Sequence, residues 1–134
     1  MAAVQVRYIV NDIDIAIAFY CSNLGFTELM HPAPSFAMLS LGDLRLALSK
    51  PGGGPGGGQQ MTDGTMPEPG GWNRFAIQVE DIEKVVERLA RTGATFRNEI
   101  ITGVGGKQCI LDDPFGNPIE LFQPIIDEAR LILR

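Results

Sequence analysis

Apolar and polar residues alternate in two short segments of the chain, and apolar residues at helical spacing follow each segment. Residues 5–12 and 74–81 carry an apolar side chain at every second position, which predicts a strand with one buried face. Each segment ends at an aspartate that suits a helix N-cap, and we expect the helices to end at Gly25 and Gly93. The chain is therefore interpreted as two copies of one module.

Three further strand-like segments follow each predicted helix. They are residues 27–30, 36–41 and 44–49 in the first copy, and 95–100, 107–111 and 118–122 in the second. The order strand, helix and three strands, repeated twice, predicts an α+β fold of two tandem βαβββ modules.

The remaining segments complete one predicted domain spanning residues 1–134. A stretch rich in glycine and proline separates the modules, as is typical of a linker. Apolar residues among charges near the C-terminus predict a short helix that packs on this domain or on a second subunit. The predicted parts are module one at 1–51, the linker at 52–71, module two at 72–124 and the tail at 125–134.

Composition excludes several classes of function. The chain has 134 residues, 45% of them hydrophobic, and a net charge of −5 without a basic stripe, which argues against nucleic acid. Neither a signal peptide nor an apolar run of membrane length is visible, so we expect a cytoplasmic protein. Cys21 and Cys109 fit no metal-site spacing, and His31 is the single histidine.

Two motifs carry a resemblance to a known family. Residues 9–26 combine a strand, an aspartate, a helix and Leu-Gly-Phe, and residues 113–121 read Asp-Pro-Phe-Gly-Asn-Pro-Ile-Glu-Leu. Together they resemble the vicinal oxygen chelate superfamily, which contains glyoxalase I, extradiol dioxygenases and the bleomycin- and fosfomycin-resistance proteins. The resemblance implies an open curved sheet or partly closed barrel around a cavity. It does not fix the reaction, because the superfamily includes both enzymes and non-catalytic binding proteins.

The resemblance also indicates where metal ligands would lie, on the first and last strands of each module. The implied positions are Gln5, Ala47, Arg74 and Glu120. A divalent ion needs three or four donor atoms, whereas alanine has none and a guanidinium has no lone pair to offer. We therefore predict no metal and an ion pair between Arg74 and Glu120.

Strand alternation predicts which side chains face a cavity. If the apolar faces cover the helices, three arginines share the other face with one carboxylate, and arginine suits carboxylate or phosphate groups. An arginine at a strand end can also simply reach solvent. Trp72 is interpreted either as an aromatic at the cavity rim or as an anchor of the linker. The predicted ligand-binding residues are Arg7, Arg45, Arg74, Gln78, Trp72 and Phe122.

Two functions from different classes follow. The first is a metal-free, homodimeric protein of the glyoxalase and bleomycin-resistance type that binds a small anionic molecule. The second is a glyoxalase- or dioxygenase-type enzyme, a lyase, isomerase or oxygenase, with an unconventional zinc, nickel or iron site. In that enzyme Glu120 would be the base and Gln5 would polarise the substrate. His31 would be a further base if its predicted loop folds over the cavity.

Overall fold

The computed structural model describes residues 1–53 and 56–132. Gly54 and Pro55 of the predicted linker, and Leu133 and Arg134 of the predicted tail, lie outside the described residues. The chain divides into two compact units, Met1–Gly70 and Gly71–Arg134. No helix within the described ranges combines the length and hydropathy that crossing a membrane requires.

The first unit has the predicted order of a strand, a helix and three strands. Its sheet runs β1-β4-β3-β2, with β1 parallel to β4 and the other pairs antiparallel. The Asp12 carboxylate accepts the Ile15 N–H at 2.9 Å and starts the helix, and Gly25 ends it at φ 77°. The elements are β1 (Val6–Ile9), α1 (Ile13–Leu24), β2 (Thr27–Ala33), β3 (Phe36–Leu41) and β4 (Leu44–Ser49).

The second unit repeats this order, with its second strand divided into two short strands. Its sheet runs β5-β9-β8-β6, with β7 also paired to β8 and with β5 parallel to β9. The mixed α+β class and the two βαβββ modules are thereby confirmed. The elements are β5 (Ala76–Gln78), α2 (Ile82–Arg91), β6 (Thr95–Phe96), β7 (Ile101–Thr102), β8 (Gly106–Asp112), β9 (Pro118–Pro124) and a 3-10 helix (Asp127–Ala129).

Apolar residues of each helix and sheet are buried together, as their spacing predicts. Tyr8 and Tyr20 lie in the core of the first unit, and Cys109 lies in the core of the second. Tyr20 packs edge to face on Phe26 with ring centroids 5.4 Å apart. The alternating strand residues that point away from these cores carry the candidate functional groups.

Three local expectations are corrected. The single strand over 95–100 is wrong, because the Asn98 side chain accepts the Ile110 N–H at 2.8 Å and replaces a ladder bond between strands. His31 lies in β2 and not in a loop. The tail forms only a 3-10 turn and then extends, because the Gln78 side chain bonds both backbone groups of Leu131.

The turn between β8 and β9 is organised by one buried carboxylate. Asp113 Oδ1 accepts the N–H groups of Phe115 and Asn117 at 2.8 and 3.0 Å, and Oδ2 accepts the Asn117 side-chain amide at 2.9 Å. Asp113 and Asn117 are 4% and 3% exposed. The aspartate and asparagine of the sequence motif therefore hold the hairpin that positions the preceding and following strands.

Replacing Asp113 by alanine should lower the free energy of unfolding by about 2–4 kcal/mol, because buried N–H donors lose their acceptor. Urea denaturation monitored by circular dichroism measures this change. Glu99→Ala removes an exposed carboxylate of the same unit and should change the value by less than about 0.5 kcal/mol. Equal small effects in both variants would contradict the assigned role of Asp113.

The buried thiol of Cys109 makes the free energy of unfolding depend on pH in the alkaline range. Burial, and secondarily the charge of Glu120, raises the pKa of its thiol from 9.0 to about 11. Below pH 9 the thiol is protonated in both folded and unfolded chains, but between pH 9 and about 11 only the unfolded chain ionises. The free energy of unfolding should therefore fall over this range. Urea titrations at increasing pH should show a shallower fall for Cys109→Ala, and an identical fall would contradict the assignment.

Candidate functional site

The two units pair their first and last strands in the same register. Both pairs are parallel. In each unit, the N–H of the residue after the first strand donates to a carbonyl of the last strand, so the same register continues by one residue. The positions that the repeat aligned are therefore structurally equivalent within their own units. The equivalent pairs are Arg7–Ala47 with Ala76–Glu120, and Val10–Ser49 with Val79–Phe122.

The predicted ion pair between Arg74 and Glu120 is present in the second unit. Glu120 Oε1 accepts hydrogen bonds from Arg74 Nε at 3.0 Å and from Arg74 Nη2 at 2.9 Å. The two side chains are 27% and 16% exposed. Arg74 Nη1 also donates to the Trp72 carbonyl at 3.1 Å. The guanidinium thus neutralises the carboxylate and fixes the chain that enters β5.

The donor atoms at the four implied positions do not fit a divalent metal. In the second unit, the permanently charged Arg74 guanidinium lies within hydrogen-bonding distance of the Glu120 carboxylate, where a metal ion would have to bind. In the first unit, Ala47 is buried without a donor atom, and Gln5 is exposed just before β1. Among residues 1–53 and 56–132, no three His, Cys, Asp or Glu side chains form a group that could hold a metal ion.

A second arginine organises the same end of the second unit and was missed by the sequence analysis. Arg97 donates through Nε to Asp112 Oδ1 at 2.6 Å, through Nη1 to the Gly71 carbonyl at 2.7 Å and through Nη2 to the Gly116 carbonyl at 2.9 Å. Its guanidinium carbon lies 4.6 Å from the centroid of the Trp72 ring. No sequence signal reveals this role, because the partners come from three separate segments.

Trp72 is accordingly both held in place and accessible. Arg97 covers its ring, Arg74 binds its carbonyl, and the residue is still 68% exposed. Its place at a cavity rim stays a prediction.

Arg7, on β1 of the first unit, contacts the glycine-rich segment. A Cβ at Gly57, whose φ is +96°, would overlap the Arg7 guanidinium. The Gly52 N–H donates to the Gly58 carbonyl at 2.7 Å and closes the segment on itself. Ser49 Oγ of β4 donates to the Gly56 carbonyl at 2.6 Å and fixes the segment to its unit. No ion pair of the described residues includes Arg7.

Three other predicted ligand-binding side chains contact residues of their own unit. Arg45 turns back to its own hairpin and donates to the Gly42 carbonyl at 3.2 Å. The Gln78 amide binds the tail backbone at Leu131. Phe122 is partly buried and lies where a Cβ at Gly106 would touch its ring.

His31 lies in a pocket of the first unit that contains none of the four implied metal positions. This pocket has a volume of about 430 Å³ and includes Asp12, Asp14 and Lys50 in its lining. His31 Nδ1 is 4.0 Å from Asp14 Oδ1. The roles of His31 and Glu120 as bases stay predictions.

Comparison with known proteins places this geometry in a family. No curated protein sequence matches the chain. TnmS3, an antibiotic-binding protein from Streptomyces sp. CB03234, is similar at 25% identity and a TM-score of 0.71, over 92% of this chain and 96% of that one.

Two other solved structures share the fold at lower identity. FosX, a fosfomycin resistance protein from Listeria monocytogenes, has 16% identity and a TM-score of 0.72, over 97% and 98% of the two chains. Lactoylglutathione lyase from Agrobacterium tumefaciens has 18% identity and a TM-score of 0.69, over 91% and 92%. The family profile itself matches residues 2–121. The chain belongs to the Glyoxalase/Bleomycin resistance protein/Dioxygenase superfamily.

Proposed function

We propose that this protein binds a small anionic molecule without using a metal ion. The observation that carries the proposal is the ion pair between Arg74 and Glu120, which occupies two of the four positions expected to supply metal ligands. A guanidinium is permanently charged and repels a cation. The chemistry that remains at these positions is recognition by hydrogen bonding and charge.

The relatives support binding as the function class. The similar TnmS3 is an antibiotic-binding protein, and its similarity extends over nearly the whole chain. FosX and lactoylglutathione lyase share only the fold at their level of identity. Binding therefore has stronger support than catalysis, and homodimerisation stays a prediction.

The anionic character of the ligand is argued from the arginines of each unit. In the second unit, both Arg74 and Arg97 already have carboxylate partners. Arg7 of the first unit has no such partner among the described residues, and it is exposed. A guanidinium in this state is free to form a charge-assisted bond with a carboxylate or phosphate. Arg7 is thus the proposed anion contact, whereas the Arg74 guanidinium is already bound to Glu120.

Purified protein incubated with zinc, nickel, manganese or iron(II) and then desalted should retain far less than one ion per chain. The donor set explains this, since one position has no donor and another carries a positive charge. Elemental analysis of the desalted protein measures the ratio. Retention near one ion per chain would contradict the metal-free proposal. Arg74→His, which replaces the cation by a ligand-type nitrogen, is the informative second sample.

Affinity should depend on the ligand's negative charge. We expect 1-naphthoate to bind at least about tenfold more tightly than its neutral isostere 1-naphthamide, since one charge-assisted hydrogen bond contributes about 1.5 kcal/mol or more. Arg7→Gln should remove this preference, measured by calorimetric titration. Arg91→Gln is the matched control, because Arg91 pairs with Glu87 on the surface of α2. Equal affinity for acid and amide in the wild-type protein would contradict the anionic assignment.

A further inference from the structure

Trp72 combines wide exposure with an unusual number of fixed contacts. The residue is 68% exposed, and tryptophan is enriched at surfaces where proteins bind partners. Its carbonyl is bound by Arg74. The carbonyl of the preceding Gly71 is bound by Arg97. Both backbone groups next to the indole are therefore held by arginine side chains.

The indole ring itself is oriented by Arg97. The guanidinium lies 4.6 Å from the ring centroid, and the Arg97 side chain is only 18% exposed. Its three nitrogens bind Asp112, Gly71 and Gly116, so the guanidinium plane has little freedom to move. A fixed plane stacked on one face of an aromatic ring restricts the rotation of that ring.

This arrangement lowers the cost of stacking a ligand. An exposed side chain normally loses rotational freedom when a ligand orders it, and the loss weakens binding. Here the ring is ordered in advance by contacts on one side. Because Arg97 covers one face, the accessible side of the ring can accept a single planar group.

The charge of Arg97 is already compensated by Asp112 at 2.6 Å. Stacking on Trp72 should therefore select for a flat aromatic group and not for a negative charge. Stacking on Trp72 and recognition of negative charge are then separable properties.

We propose that Trp72 is a pre-organised platform on which a planar aromatic part of the ligand stacks, and that Arg97 is the residue that positions its ring. The inference rests on the proposed small-molecule binding function, and it adds the chemical class of the ligand. Arg97 acts through Trp72 and does not itself contact the ligand.

The single tryptophan of the chain provides a direct measurement. Protein labelled with nitrogen-15 gives one indole N–H signal, which is followed while 1-naphthoate or its saturated analogue decahydro-1-naphthoate is added. Naphthoate should shift the indole signal by its ring current and bind about fivefold to tenfold more tightly, since aromatic stacking contributes about 1 kcal/mol. The saturated acid should leave the signal nearly unchanged.

Arg97→Lys tests the positioning role. Lysine keeps the positive charge beside Asp112 but lacks the planar, forked group. We expect naphthoate affinity to fall about fivefold, to the level of the saturated acid, whose own affinity stays constant. The indole signal of the free protein should broaden or move toward the position of a mobile indole. Arg91→Lys, on the surface of α2, is the matched control and should change neither property.

Two variants of Trp72 test the stacking proposal even if the Arg97→Lys variant does not fold. Trp72→Phe should retain the preference for the aromatic acid, and Trp72→Leu should lose it, both measured by calorimetry. If Trp72 serves only to cover the ion pair of Arg97 and Asp112, Trp72→Leu will bind naphthoate like the wild type, and the inference is overturned.

The remaining outcomes separate this inference from the proposed function. Equal affinity for the aromatic and saturated acids in the wild type overturns the platform and leaves anion binding intact. Binding of 1-naphthamide with an indole shift, at the same affinity as naphthoate, supports the platform and contradicts the anionic assignment. Absence of binding by all three probes overturns both.

Discussion

Parallel pairing of the first and last strands of each unit is the constraint on which the candidate site depends. The register is the same in both units, so it determines which side chains lie together on the face away from the helix. In the second unit it brings Glu120 beside the chain that carries Arg74. In the first unit it places the buried Ala47 beside Arg7. A shift by one residue in either pair would turn these side chains toward the core.

The charges of the second unit form an alternating chain of contacts. Glu120 binds Arg74, Arg74 binds the Trp72 carbonyl, Arg97 stacks on the Trp72 ring, and Asp112 binds Arg97. Each partly buried charge thus has an opposite partner, which offsets the cost of removing it from water. The result is a rigid surface around an accessible aromatic ring, as recognition of a small molecule requires. The units differ in this respect, because Arg74 and Arg97 have carboxylate partners, whereas no ion pair within residues 1–53 and 56–132 includes Arg7.

Much of this structure could be predicted because it follows local rules. Alternation indicates the strands, and Asp12 and Asp81 indicate the helix starts. The repeat equates Arg74 with Gln5 and Glu120 with Ala47, and the family resemblance then predicts the ion pair of Arg74 and Glu120. Arg97 escaped prediction because its partners, the Asp112 carboxylate and the carbonyls of Gly71 and Gly116, lie 15 to 26 residues away in the sequence. Arg45 was assigned to the cavity face by alternation alone, which cannot show that a long side chain folds back on its own turn. The packing of Gly57 on Arg7 was likewise invisible, since a glycine-rich composition indicates a connector and not the group beneath it.

The central claim is that Arg74 and Glu120 hold each other in two of the four positions that the family resemblance implies for metal ligands. A double-mutant cycle of Arg74→Met, Glu120→Gln and the combined variant measures their coupling through the free energy of unfolding. For a pair that is 27% and 16% exposed and shares a double contact, we expect a favourable coupling of about 1–2 kcal/mol. A coupling indistinguishable from zero would mean that the two side chains do not stabilise each other in solution, and would contradict the account.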